Sequence, residues 1–415
     1  LIYSLILLGL FWSAPYYPPM DAADPANHAT LVAKIMGGDG SEVLLKSGYP
    51  TGLHFAAASF AWLLQASPLE SLRMLVSLIL PGSLLAVYLL ARALFDSREL
   101  ATATLLIAAF AIPVELFHFI RIGTYANITA DTIALTLLWL FFSYVKKPSL
   151  ALGITMSVLG LSGVFVHSSF FLFIAALVVP LPVVYFFFRQ ERRNYARATL
   201  YSIGGMIMLG PLLATVLKGN VDRILMAYVA SSHEIGFYVV PFVIQASIWN
   251  FRTFAGPISP IAIVLAIAFI LKRRRAHIGS VFAACWIGLV TSVTFLSWEE
   301  WRFALLTLVP AAFLLGNLAV SGSRLLATSR RAIKSMRLGK LVQLVLPATL
   351  IVLIASGPFF ELAARAYSPS TRTHQEAVVD SMMWLEQNGC PGRVASVGLK
   401  SDFRYLPVLA GIAYA

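Results

Sequence analysis

The sequence has 415 residues, of which 59% are hydrophobic and only 12% are charged. A soluble domain carries roughly a quarter charged residues, so this composition excludes a soluble globular protein. The formal net charge of +12 could fit a nucleic-acid-binding protein. The basic residues, however, occupy short segments between apolar runs, which is the pattern of membrane loops. Apolar runs of about 20 residues, enough to cross a bilayer, recur along the chain and predict an all-α, polytopic membrane protein.

The apolar runs predict about eleven transmembrane helices. Their ranges are 1–13, 70–94, 100–119, 128–145, 149–166, 170–188, 198–217, 258–271, 279–297, 303–320 and 341–360. Residues 1–360 are therefore expected to form one transmembrane domain with two long external loops, 14–69 and 218–257. Residues 361–415 change character: a predicted helix and then a short strand indicate the start of a small α/β domain in an extracytoplasmic tail.

Most of the basic residues fall in alternate loops. These loops hold 18 of the 31 basic residues: Arg92, Arg98, Lys146, Lys147, Arg189, Arg192, Arg193, Arg197, Lys272, Arg273, Arg274, Arg275, Arg324, Arg330, Arg331, Lys334, Arg337 and Lys340. Only Asp96, Glu99 and Glu191 of the 19 acidic residues share them. Because cytoplasmic loops are enriched in Lys and Arg, we predict a multi-pass plasma-membrane protein with a cytoplasmic N-terminus and an extracytoplasmic tail.

The first external loop contains two carboxylates and a histidine, Asp21, Asp24 and His28. Asp followed by Pro favours a helix start, so Asp24 is expected to cap a helix from Pro25 to Met36. The spacing could place all three side chains on one side of that helix and its entry turn. Asp24 then has two compatible interpretations, a helix cap and a base that accepts a proton from an attacking hydroxyl. Asp21 is free of the capping role.

Further along the same loop, Gly48-Tyr49-Pro-Thr-Gly-Leu-His54 precedes an apolar helix, residues 55–65, that is too short to span a membrane. Such a helix lies along the interface or packs on the bundle. His54 is either a packed interfacial histidine or a ligand-binding residue. Ser67-Pro68-Leu-Glu70 predicts a capping box at the start of the next span.

Charged and polar residues also mark three other predicted external segments. Arg121, in Arg121-Ile-Gly-Thr-Tyr125, is either a snorkelling interfacial cation or the group that holds a lipid phosphate. His167 lies in a very short turn, where it is a turn residue or a substrate contact. The Glu299, Glu300 and Arg302 group is either a membrane anchor or a binding set, in which the arginine neutralises a leaving phosphate and the acids bind sugar hydroxyls.

These motifs together resemble the C-type (GT-C) superfamily of membrane glycosyltransferases. The resemblance rests on the Asp-Pro-x-x-His and Tyr-Pro-x-Gly-x-His elements of the first loop, on the second span, and on Ser297-Trp-Glu-Glu-Trp-Arg302. It implies a GT-C-like bundle whose large first extracytoplasmic loop carries interfacial helices. It also implies inverting sugar transfer from a polyprenyl-phosphate carrier, with Asp24 as the first catalytic candidate and Asp21 as the second. The expected substrate-binding residues are His28, Tyr49, His54, Arg121, Tyr125, His167, Glu299, Glu300 and Arg302.

The resemblance also sets expectations for cofactors and partners. Some members of the superfamily use a divalent cation, and Asp21, Asp24 and Glu299 could hold Mg²⁺ or Mn²⁺. The expected partners are a polyprenyl-phosphate-linked sugar donor, a glycan, lipid or protein acceptor, and membrane lipids, but no nucleic acid. The tail resembles the junction before the soluble domain of oligosaccharyltransferase-type members but departs from their Trp-Trp-Asp-Tyr-Gly signature. The alternative functions are a transporter or flippase, or a polymer ligase, of lipid-linked glycans.

Overall fold

The computed structural model describes residues 23–46, 50–121, 125–167, 169–210, 278–296, 306, 309–317 and 319–320. Within these ranges it does not describe the side chains of residues 23–26, 110–121 and 293–296, nor those of a few single positions. The predicted spans 1–13, 258–271 and 341–360, the loop 218–257 and the tail 361–415 lie outside the described residues. Those that are described are almost entirely helical and include no strand.

From the first loop to residue 208, the described helices follow one another with short connections. They are α1 (Ala23–Lys34), a π-helical turn (Ile35–Asp39), α2 (Gly40–Lys46), α3 (Gly52–Leu64), α4 (Pro68–Phe95), α5 (Arg98–Arg121), α6 (Tyr125–Lys146), α7 (Leu150–Val166), α8 (Phe170–Val178), α9 (Leu181–Phe187), α10 (Arg192–Met208) and α11 (Ile278–Leu296). Residues 309–317 are also helical. Three described stretches are long and apolar enough to cross a membrane, namely Glu70–Phe95, Tyr125–Lys146 and Phe170–Phe187.

Two predicted spans differ from the helices that are observed. The predicted span 170–188 is divided into α8 and α9 at Val179 and Pro180, because a proline supplies no backbone N–H to continue the hydrogen-bond ladder. The predicted span 198–217 begins earlier, since α10 starts at Arg192. The first turns of α10 are polar and basic. The hydropathy of the sequence therefore located only the apolar part of this helix, which begins later in the chain.

The start of α4 confirms the predicted capping box. The Ser67 hydroxyl accepts a hydrogen bond from the Glu70 backbone N–H at 3.3 Å, and the Glu70 carboxylate accepts one from the Ser67 backbone N–H at 2.9 Å. Pro68 occupies the first turn, where its missing N–H leaves no donor unpaired. These two bonds fix the point at which the interfacial segment enters the membrane bundle.

The first loop is helical from Ala23 to Lys46, except at a kink. Helix α1 includes Asp24 in its first turn, so the helix begins slightly before the predicted cap. The predicted helix ends at Met36. Instead the chain continues through a π-helical turn in which Gly38 has φ of 101°, a conformation that glycine adopts without steric cost.

Aromatic side chains form the centre of the described bundle. The Tyr195 ring of α10 lies 4.7 Å from Phe141 of α6, and its hydroxyl donates to the Leu177 carbonyl of α8 at 3.0 Å. Phe142 of α6 lies 4.8 Å from Phe282 of α11. The core therefore joins four helices that are distant in sequence.

The two ends of α6 have different chemical surroundings. At its C-terminal end, Lys146 lies 3.9 Å from Asp96, and the Asn194 amide donates to the Val145 carbonyl at 3.0 Å. Those contacts bring the C-terminal end of α4 and the first turn of α10, both with basic residues, next to the C-terminal end of α6. At its N-terminal end, α6 meets α1 and α3 of the first loop. The 22 residues of α6 span about 33 Å, enough to separate the two membrane surfaces.

Candidate functional site

Three residues of the predicted site meet where α1, α3 and the start of α6 converge. His28 Nδ1 lies 2.8 Å from His54 Nε2, although the two residues are 26 positions apart. The Tyr125 ring centroid lies 5.9 Å from that of His28. The exposed fractions are 6% for His28, 0% for His54 and 1% for Tyr125. We call this group the histidine cluster.

Apolar packing holds the histidine cluster in place. Helix α1 places Ala29 and Val32 in the core beside His28, and α3 buries Leu53 and Ala57 beside His54. The first turn of α3 is fixed by the Thr51 carbonyl, which accepts a hydrogen bond from the His54 backbone N–H at 2.9 Å. Helices α1 and α3 therefore pack on the bundle through apolar side chains, and the two imidazoles lie among these side chains.

Burial keeps both imidazoles of the cluster neutral. Loss of solvent lowers the pKa of His28 to about 4. Burial, and then the neighbouring His28, lower the pKa of His54 well below its ordinary value, while the hydrogen bond with Thr51 opposes that shift. Because a neutral imidazole has one N–H and one bare nitrogen, the bond between the rings requires complementary tautomers. The pair is therefore a directed, uncharged hydrogen bond at neutral pH.

His167 lies in the α7–α8 turn, at the same end of the bundle as the start of α3. Its Nδ1 accepts a hydrogen bond from the Ser169 backbone N–H at 3.1 Å and lies 2.9 Å from the Ser169 hydroxyl. Gly52 brings α3 to this turn, since a Cβ there would lie 3.0 Å from the Phe165 carbonyl oxygen. His167 thus has the bonding of a turn residue, on the face that carries the histidine cluster.

Two polar residues of α6 extend inward from the histidine cluster. Asn127 is buried, and Asp131 follows it by one turn on the same face. The Asp131 Oδ1 atom is shielded from solvent and makes no hydrogen bond within the described structure. The sequence signal was the i, i+4 pair of polar residues at the beginning of the predicted span 128–145. A carboxyl group at such a position is unusual in a membrane helix and commonly functional.

The remaining predicted site residues are not placed by the structure. Asp24 and Arg121 belong to α1 and α5, but their side chains are not described. The other five lie outside the described residues: Asp21, Tyr49, Glu299, Glu300 and Arg302. Their proposed roles therefore stay predictions from the sequence.

The histidine cluster does not have the form of a metal site. Each imidazole directs one ring nitrogen to the other, so neither of those two atoms can bind a metal while the bond persists. Within the described ranges, no three His, Cys, Asp or Glu side chains come together as a ligand set. The ligand set predicted from the sequence for a divalent cation, Asp21, Asp24 and Glu299, falls where side chains are not described.

The fold is similar to that of an archaeal oligosaccharyltransferase. The structure of AglB from Archaeoglobus fulgidus with an inhibitory peptide and a dolichol-phosphate superimposes with a TM-score of 0.61 at 12% sequence identity. The oligosaccharyltransferase of the same organism matches in its apo form with a TM-score of 0.63 at 13% identity. Its complex with Zn and sulfate matches with a TM-score of 0.62 at 14% identity.

These matches cover nearly the whole of this chain but only part of the oligosaccharyltransferase chains. Each covers 99% of this chain but only 61–63% of the oligosaccharyltransferase chain. The chain therefore spans about three-fifths of the length of these proteins. No protein-family model matches the sequence, and no curated protein matches it significantly. The likeness at this level of identity is one of fold: the chain shares the helical fold of these oligosaccharyltransferases.

Proposed function

We propose that this protein transfers a sugar from a polyprenyl-phosphate-linked donor to an acceptor at the membrane face that carries the histidine cluster. The observation that supports this most strongly is the docking of α1, the helix that contains Asp24, onto α3 and α6 in an oligosaccharyltransferase-like fold. The solved relative with this fold holds a dolichol-phosphate and an inhibitory peptide. A lipid-linked donor is the corresponding substrate class for this chain.

Within this proposal, the histidine cluster positions Asp24. His28 follows Asp24 by four residues in α1, one helical turn, so the two lie on the same side of the helix. The hydrogen bond to His54 and the ring contact with Tyr125 fix that turn on the bundle. Because the three side chains are almost completely buried, they act through the helix that they hold. A displacement of about 1 Å in a catalytic group can slow a reaction about hundredfold.

The proposed reaction is a single displacement with inversion. The acceptor hydroxyl attacks C1 of the sugar, and Asp24 takes the hydroxyl proton as the bond between C1 and the phosphate oxygen breaks. The electron pair leaves with the polyprenyl phosphate, whose charge Arg121 or Arg302 neutralises. Phosphate is a good leaving group when it is neutralised, so one carboxylate suffices, with Asp21 as the alternative base. Sugar hydroxyls would bind Glu299 or Glu300.

A transfer assay with substituted aspartates tests this assignment. Membranes with Asp24→Asn should lose at least about hundredfold in transfer from a labelled polyprenyl-phospho-sugar, since a general base contributes about that much or more. Asp39→Asn is the matched control, because Asp39 is an exposed acid of the same loop, and it should keep wild-type activity. Full activity in Asp24→Asn together with loss of activity in Asp21→Asn would show that Asp21 is the base. Full activity in both variants would refute the mechanism.

A further inference from the structure

The connection between α9 and α10 and the first turns of α10 carry four exposed arginines within nine residues: Arg189, Arg192, Arg193 and Arg197. Glu191 is the only acid in that stretch. In the described part of this membrane end, the ion pairs join Arg92 and Lys146 to Asp96. The four arginines are therefore cations that no acidic side chain of the described residues neutralises.

Three exposed aromatic side chains precede these arginines. The exposed fractions are 55% for Tyr185, 72% for Phe186 and 79% for Phe187. The Arg192 guanidinium lies over the Tyr185 ring, 5.1 Å from its centroid, a cation–π arrangement that orients the arginine beside the aromatic group. Aromatic rings beside cations are typical of the level of lipid headgroups. We call these aromatic residues and the four arginines the basic–aromatic patch.

The basic–aromatic patch lies where an apolar stretch leaves the membrane. The stretch Phe170–Phe187 is long and apolar enough to cross a bilayer, and it ends within the patch. The hydrogen bond from Asn194 to the Val145 carbonyl fixes the first turn of α10 beside the exposed Lys146 and Lys147. The patch is thus at the opposite end of α6 from the histidine cluster. It belongs to the membrane surface away from the proposed site of sugar transfer.

We propose that the basic–aromatic patch binds the headgroups of anionic phospholipids in the adjacent leaflet. Guanidinium groups bind phosphate oxygens through two parallel N–H bonds, and they do so better than ammonium groups. The exposed rings insert among the acyl chains just below the headgroups, while the arginines stay at phosphate level. A soluble acidic protein would not provide the apolar surroundings that the three rings require. This proposal does not depend on the proposed glycosyltransferase function.

Native mass spectrometry can test the lipid preference directly. The full chain in mild detergent would be mixed with equal amounts of phosphatidylglycerol and phosphatidylcholine of identical acyl chains, and the bound lipids counted. We expect wild type to bind more phosphatidylglycerol. Near an anionic surface each arginine contributes about fivefold to binding. The variant R189Q/R192Q/R193Q/R197Q should therefore lose at least about tenfold of the preference.

Three further arms complete the test. Arg92→Gln is the matched control, because Arg92 is already ion-paired with Asp96 at 3.2 Å, and it should change the preference less than about twofold. The variant R189K/R192K/R193K/R197K keeps the charge and should retain most of the preference. Higher ionic strength should weaken the preference of wild type, since salt screens exposed charges. This salt response tests the proposal without any variant.

Several results would overturn the proposal. Equal binding of the two lipids by wild type would show that the patch does not recognise anionic headgroups. Unchanged preference in the glutamine variant would place the lipid site elsewhere. An equal loss in Arg92→Gln would show that net charge, and not the basic–aromatic patch, sets the preference.

Discussion

Acidification should destabilise the protein through the histidine cluster. The pKa of His28 is about 4 in the folded state, below its ordinary value of 6.5. As pH falls below 6.5, the unfolded chain binds a proton that the folded chain does not, so stability is lost until the pH reaches about 4. Each pH unit in that window costs about 1.4 kcal/mol. The His28 contribution alone is therefore about 3 kcal/mol, and His54 adds to it in the same direction.

The assay is thermal unfolding in detergent, followed by tryptophan fluorescence at several values between about pH 7.5 and pH 4.5. The double variant His28→Asn/His54→Gln keeps polar groups at both positions but removes both imidazoles. It should show a smaller fall in Tm with acid than wild type, because only the titratable groups shared by both proteins then respond. Equal falls in wild type and in the double variant would refute the buried, neutral histidine pair.

Three further substitutions test the packing that supports the site. Tyr125→Ala should lower stability by about 3–5 kcal/mol by leaving a cavity beside His28, as measured by denaturant unfolding; Tyr125→Phe, which keeps the ring, should cost much less. Ser67→Ala should cost about 1 kcal/mol by removing the α4 cap, and no change in Tm would contradict the observed capping box. Gly160→Leu should abolish the yield of folded protein in size-exclusion chromatography, because a Cβ at this position would collide with the Ser202 carbonyl of α10. Gly288→Ala is the control and should fold normally, since nothing lies within 4 Å of a Cβ there.

Local sequence signals predicted most of the described helices. The apolar runs located α4, α6 and α7, and the Ser67-Pro-x-Glu70 pattern gave the cap of α4. Prediction was less accurate where the ends of a helix do not coincide with the ends of its apolar segment. Arg192 begins α10 before its apolar part, because a helix can extend beyond the membrane. Pro180 divides one predicted span, a break that the apolar composition of residues 170–188 concealed.

The candidate site could be predicted only as a set of residues. His28, His54 and Tyr125 were each identified from short motifs, but nothing local to those motifs indicated that the first two share a hydrogen bond. That contact depends on how α1 and α3 pack against α6, which is a property of the tertiary fold. Asp131 falls just inside the predicted span 128–145. Its shielded, unbonded Oδ1 became apparent only from the packing of α6.

The most direct test of sugar transfer is to follow the donor lipid itself. The full chain would be reconstituted with lipid-linked sugars extracted from the membranes of its source organism, and the lipids analysed by mass spectrometry before and after incubation. We predict that a polyprenyl-phospho-sugar is consumed and free polyprenyl phosphate appears with wild type but not with Asp24→Asn. An unchanged lipid pool with correctly folded wild type, supplied with the complete extract and its acceptors, would contradict the glycosyltransferase function.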